Sequence, residues 1–304
     1  MVPVAFTIVA ALLGLAFGSF LNVCIARWPE GESMVAPRSH CRHCGQTLAW
    51  CDNIPLASWL ALRGRCRSCH AWIGYRYPLV EFSVALIWAL LAWQTVPAFA
   101  APGWTATSMF DASLYALQRA ILCWLLIGLA VLDAQHLWLP DRLTLGGTVL
   151  GLPLAFSSFA VHWIWPNAPF HWNSNWYTHR AHIFELVLHW ILGIIVAPGI
   201  ILFTRWAYRL VRRREGIGLG DAKLMLLLAV WLGLLHTVLA FVLGVVFGAG
   251  LVLAMLFVPK SRQDSETWLT AKLPFGTCLC LGGIVSAVYG APIIEAYARA
   301  AFFV

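Results

Sequence analysis

The sequence predicts an all-α polytopic membrane protein of about eight transmembrane helices, with a small soluble insert after the first helix. Three observations predict it. Of the 304 residues, 61% are hydrophobic and 11% charged, whereas a soluble domain carries roughly a quarter charged residues. Such a chain could not cover the surface of a water-soluble globule, and its apolar content equally excludes disorder. The apolar residues fall in stretches close to the about twenty residues that cross a bilayer. The basic residues fall between those stretches rather than along one face. Despite a net charge of +7, that is the topological bias of a membrane protein and not a nucleic-acid footprint.

Taken in order, the first stretch is 4–26. No basic residue precedes it, no convincing small-residue cleavage site ends it, and Arg27 follows directly. It is expected to stay as an anchor with the N-terminus outside. The next stretches are 79–100, 114–132, 143–161, 183–208, 222–235, 238–258 and 279–300. The sixth is short and joined to the seventh by little more than His236 and Thr237. Alternation then puts 27–78, 133–142, 209–221 and 259–278 in the cytoplasm. All twenty basic residues except Arg119, Arg180 and Arg299 lie inside, as the positive-inside rule requires. Trp163, Trp165, Trp172 and Trp176 gather near the outer interface, where indole rings are favoured. Gly14 and Gly18 carry the small-xxx-small spacing of a helix-packing face. The expected division is a first helix over 1–26, an insert over 27–78 and a membrane bundle over 79–304.

The insert carries Cys41 and Cys44 as one C-x2-C pair and Cys66 and Cys69 as a second, twenty-one residues further on. Each pair can form a knuckle that gives two thiolates to one tetrahedral Zn2+, and Gly45 allows the tight turn behind the first. About fifty residues build a poor core alone, so a metal staple makes physical sense. The alternatives are two disulfides, opposed by a reducing cytoplasm, or four idle thiols, opposed by the paired spacing. Cys51, His40, His43 and His70 could each replace a ligand but break the symmetry, and are expected beside the site. Cys24, Cys123, Cys278 and Cys280 lie in or near spans and read as buried inert thiols. The insert is therefore expected to be zinc-binding and cytoplasmic.

Ionisable groups at the edge of apolar segments are the informative ones in a bilayer. Asp133 directly follows 114–132. Asp221 follows Gly216, Gly218 and Gly220 at the mouth of the sixth stretch. Both are expected at the cytoplasmic edge, where they could meet across a helix interface. Two adjacent carboxylates share a proton, giving one acid and one base at once. That pair can activate water against a peptide bond without a metal or a covalent intermediate. Asp221 could instead simply cap its helix. Asp133 ends a helix, where the dipole disfavours negative charge, so it needs a compensating reason. Helix-end position alone puts the proton on Asp133 and the charge on Asp221, making Asp221 the base. Asp141 after Pro140 reads as a helix-start residue. No strand precedes the three glycines, so a nucleotide loop is a weak reading, and close backbone approach to a substrate strand is a better use of them. Pro274, Phe275 and Gly276 add a bent segment before the last span. Two rival functions remain open: a proton-coupled transporter with both carboxylates as relays, for which no internal repeat speaks, and a non-catalytic zinc scaffold of an assembly machine.

Together these pieces resemble the type IV prepilin peptidases, GxGD-type membrane aspartyl proteases that are bifunctional leader peptidase/N-methyltransferases of type IV pili and type II secretion. The matching stretches run from Gly18 through Asn22 and Arg27 to Pro29, then the paired cysteines, Asn53 to Pro55, Ser58 to Leu60 and Tyr77 to Glu81. Asp133 with Pro140 and Asp141, Gly218 to Lys223, and Pro274 to Gly276 complete the set. The resemblance implies that Asp133 and Asp221 are the protease pair and that Cys41, Cys44, Cys66 and Cys69 hold a structural zinc tied to methylation. The substrates it implies are prepilins or pseudopilins, cut after glycine on the cytoplasmic side of a bacterial inner membrane. The new amine, usually on phenylalanine, is then methylated with S-adenosylmethionine. Glu81 matches a family position to which the residues alone assign no physical role. Thr277 stands where the family often continues with proline, and 162–182 is a long aromatic segment with His162, His171, His179 and His182. Both departures are expected to lie away from the chemistry.

Overall fold

A computed structural model describes residues 2–36, 38–100, 106–164, 180–212, 218–256 and 274–302. Among the described residues, every predicted apolar stretch falls on a helix and no strand occurs. Six helices among the described residues are long and apolar enough to cross a membrane, so the chain is a multi-pass membrane protein. It divides into two compact units, Met1–Ala101 and Pro102–Val304. Trp165, Trp172, Trp176, His171 and His179, and the side chains of His162, Trp163 and His182, lie outside the described residues, as does Gly216.

The first unit pairs α1 (Val2–Arg27) with α3 (Arg76–Ala100). The small residues expected at a helix contact are there: a Cβ at Gly14 or Gly18 would lie 2.7 Å from the Cα of Ala85 or Glu81. Between the two helices runs the insert, with a 3-10 turn at Trp50–Asn53 and a single-turn helix α2 (Ala57–Ala61). Its two knuckles repeat one pattern. The Cys41 N–H donates to Gln46 O and the Cys66 N–H to Ala71 O, each beside an isolated antiparallel bridge. Gly45 turns the first knuckle at φ +73°, while His70 takes the same left-handed region at φ +55° in the second.

Side chains bind this small insert together. Arg67 grips the nearly buried Asp52 carboxylate through Nε and Nη2, the shortest contact being 2.6 Å. The Arg67 guanidinium holds Asp52 below the ordinary carboxylate range. Arg42 bridges Glu30 at 2.7 Å and also donates to Ala26 O at the end of α1. Trp59, Trp72 and Tyr75 stack on one another with ring centroids 5.0–5.9 Å apart, a local aromatic cluster in place of a full core.

The second unit contains α4 (Ala106–His136), α5 (Asp141–Ile164), α6 (Arg180–Arg212), α7 (Leu219–Leu256) and α8 (Phe275–Phe302). Helix α7 packs on α5, α6 and α8, and α4 packs on α8. The sixth and seventh predicted stretches are the two arms of α7, parted at Gly233 (φ +74°, ψ −179°) rather than at His236 and Thr237. A left-handed φ is cheap only for glycine, and carbonyls released by a helix break inside a bilayer need other donors. Trp190 Nε1 donates to Val230 O at 2.8 Å, and Thr237 Oγ1 to Gly233 O at 2.6 Å.

Candidate active site and metal centre

Asp133 lies in the last turn of α4 and is 6% exposed. The N-terminus of α8 is aimed at it. The Thr277 N–H donates to Asp133 Oδ2 at 2.6 Å, and Thr277 Oγ1 lies 3.0 Å from the same oxygen and 3.0 Å from Ala130 O. Thr277 is the third residue of α8, so its N–H is one of those a helix leaves without an internal partner. The compensation that a carboxylate at the end of α4 requires is therefore the positive end of a second helix. Gly276 permits the approach, because a Cβ there would sit 2.9 Å from Asp133 Oδ2 and 3.0 Å from its Cγ.

Asp221 stands in the first turn of α7, with the Gly218 N–H bonded to its carboxyl. Gly220 and Gly276 both pack on Leu139: a Cβ at either would meet Leu139 Cδ1 at 3.1 Å. The segments bearing the two aspartates thus converge on Leu139. One expectation fails here. Both carboxylates face helix N-terminal donors, so the helix ends no longer distinguish a protonated Asp133 from a charged Asp221. The N-terminus of α8 offsets the C-terminus of α4. Asp141 begins α5, as a helix-start residue should, and accepts from Lys223 Nζ at 2.6 Å, which ties that start to the first turn of α7.

In the insert, the Sγ atoms of Cys41, Cys44, Cys66 and Cys69 all lie within 4.8 Å of one another, with Cys41 and Cys69 3.8 Å apart. Tetrahedral Zn–S bonds of about 2.3 Å put sulfurs about 3.8 Å apart, so this donor set fits a Zn2+ ion. The backbone N–H groups of Cys69 and Ser68 lower the Cys66 thiol to about 7. The Ala71 N–H favours a thiolate at Cys69, but burial and the neighbouring Cys44, Cys66 and Cys41 push it up to about 12. One thiolate forms readily and crowding opposes the next, which a divalent cation would relieve. Among the described residues, His40, His43, His70 and Cys51 stand outside the cluster: His40 Nδ1 meets Arg38 O, and Cys51 Sγ meets Asp52 Oδ1. Cys24, Cys123, Cys278 and Cys280 are buried and unbridged, as expected.

Two residues gain roles that the sequence reading did not supply. Thr277, expected to be remote from the chemistry, touches Asp133. Its signal was positional, the third residue of a helix opened by Pro274 and Phe275. Glu81, on α3, accepts the Leu56 N–H at 2.8 Å where the insert enters α2 at φ +56°.

Two family models match the chain. The sequence model for the bacterial peptidase A24 N-terminal domain matches residues 12–95, and that of the type IV leader peptidase family matches 120–253. A "Type 4 prepilin-like proteins leader peptide-processing enzyme" of Escherichia coli is 35% identical, covering 93% of this chain and 94% of the relative. Proteins named "Prepilin leader peptidase/N-methyltransferase" from Stutzerimonas stutzeri and Pseudomonas aeruginosa are each 31% identical. They cover 97% and 99% of this chain, and 94% and 96% of their own lengths. No solved structure matches it significantly. A converging carboxylate pair, a four-thiol insert and full-length similarity all point one way: the chain belongs to the type IV leader peptidase family.

Proposed function

We propose that this chain cleaves the leader peptide of type IV prepilins or type II secretion pseudopilins at the cytoplasmic side of the bacterial inner membrane. It then N-methylates the new N-terminal residue, usually Phe, with S-adenosylmethionine as methyl donor. The observation that carries this reading is similarity, over nearly the whole chain, to relatives named for both activities. The N-terminus faces the periplasm and the insert over 27–78 faces the cytoplasm, the arrangement that keeps the basic residues inside.

Asp133 and Asp221 perform the hydrolysis. One carboxylate takes a proton from water as the water oxygen bonds to the scissile carbonyl carbon. The partner carboxyl gives its proton to the leaving nitrogen as the C–N bond breaks. The products are a leader carboxylate and a free α-amine. Each proton belongs to the pair, because two adjacent carboxylates titrate together. Cys41, Cys44, Cys66 and Cys69 hold Zn2+, which supplies a structural staple and supports methylation more than cleavage.

Asp133→Asn and Asp221→Asn test the pair. Each is expected to lower prepilin cleavage at least about a thousandfold, the scale of lost acid–base catalysis, while membrane insertion persists. Cleavage at the normal rate by either variant would end the dyad reading.

A further inference from the structure

Glu81 and Asn22 form a polar cluster in the first unit that peptide hydrolysis does not use. Glu81 is 8% exposed and Asn22 3%. The Leu56 N–H donates to Glu81 Oε2, and the Ser19 and Asn22 side chains lie near the carboxyl. Among the described residues no cation pairs with it, although buried carboxylates are ordinarily paired with a cation or serve a function. Asn22 Nδ2 donates to Tyr77 O at 2.9 Å, while Asn22 Oδ1 is buried with no hydrogen-bond partner. Reversing the amide would not help, since its oxygen would then oppose the Tyr77 carbonyl. Two observations thus converge, a buried acid without a counter-cation and, beside it, a buried acceptor without a donor. A bound cation that carries N–H groups would satisfy both.

We propose that Ser19, Asn22 and Glu81 form a binding site for a primary ammonium group used in methyl transfer. The ammonium donates to Asn22 Oδ1 and places its charge against the Glu81 carboxylate. The sulfonium centre of a methyl donor would not serve, because it carries no N–H for Asn22 Oδ1. Two ammonium groups belong to the reaction, the newly freed pilin N-terminus and the amino-acid end of S-adenosylmethionine. This inference rests on the methyltransferase activity proposed above and is independent of Asp133 and Asp221.

The test uses the full-length protein in lipid, with a pre-cleaved pilin peptide bearing N-terminal Phe and with S-adenosylmethionine. Glu81→Gln keeps an acceptor for the Leu56 N–H and removes only the charge, and Asn22→Ala removes the orphan oxygen. Each is expected to lower methyl transfer about tenfold or more, with zinc content unchanged and cleavage of intact prepilin within about twofold of wild type. A raised KM for the peptide assigns the site to the pilin amine, and a raised KM for the donor assigns it to the donor's amino end. Wild-type methyl transfer by Glu81→Gln overturns the proposal. So does methylation lost only together with zinc, which would make the cluster a fastening for the insert. Should Asn22→Ala fail to insert, Asn22→Leu removes the same oxygen at similar volume. If the wild-type protein yields no methylated peptide, the functional reading itself fails, a result distinct from any variant's.

Discussion

At the scale of single residues, Asp133 shows how a costly group is made tolerable. A carboxylate in the last turn of α4 faces the negative end of that helix, yet Thr277 meets Oδ2 with both its N–H and its hydroxyl. The hydroxyl suits either protonation state. It donates to an ionised Oδ2, or it accepts from a protonated one while donating to Ala130 O. Binding Oδ2 in this way leaves Oδ1 for water or substrate. Thr277→Val keeps the shape and the N–H but loses the hydroxyl. We expect it to lower the kcat of cleavage about tenfold, the worth of one hydrogen bond to a charged group, with KM little changed and with recovery in Thr277→Ser. Unchanged kcat in the valine variant would reduce Thr277 to packing. Asp133 itself was legible from sequence because ionisable residues at the edge of an apolar segment are expensive. Thr277 was not, because its partner is 144 positions away.

At the scale of elements, closeness between backbones does most of the positioning. Helix α8 can direct its N-terminus at Asp133 only because residue 276 has no side chain. Gly276→Ala would set a methyl group 2.9 Å from Asp133 Oδ2, forcing the carboxylate or α8 to move. Misplacement on the scale of an ångström costs about a hundredfold in rate, so cleavage should fall by that order while methylation of a pre-cleaved peptide persists. A cleavage assay on intact prepilin checks this, and normal turnover would mean that the approach of α8 is not needed. Helix α7 illustrates the limit of periodicity. Hydropathy marks both arms well, but the break falls at Gly233, where a left-handed φ and the Trp190 bond to Val230 O decide it. An apolar run does not show which of its glycines leaves the helical region.

At the scale of the whole molecule, the cysteine cluster belongs to the first unit and both aspartates to the second. The insert is held by ion pairs, two isolated bridges and three stacked rings, so metal binding should supply much of its folding free energy. Changing Cys41, Cys44, Cys66 or Cys69 to Ser is expected to release zinc and to lose methylation before cleavage. Metal analysis together with the mass of the mature pilin N-terminus reads both effects, and full methylation by a zinc-free variant would count against the link.

The amino-acid order alone determined the helical membrane architecture, the four thiols and the two acidic positions. Each follows from a local rule: the free energy of placing side chains in lipid, or the spacing that turns a chain back on a metal. Tertiary structure alone decided which helix end compensates Asp133, where α7 breaks, and that Glu81 meets the Leu56 N–H beside an unpartnered Asn22 oxygen. Those outcomes depend on groups far apart in the chain meeting within about 3 Å, the reach of a hydrogen bond, and no local pattern encodes such a meeting.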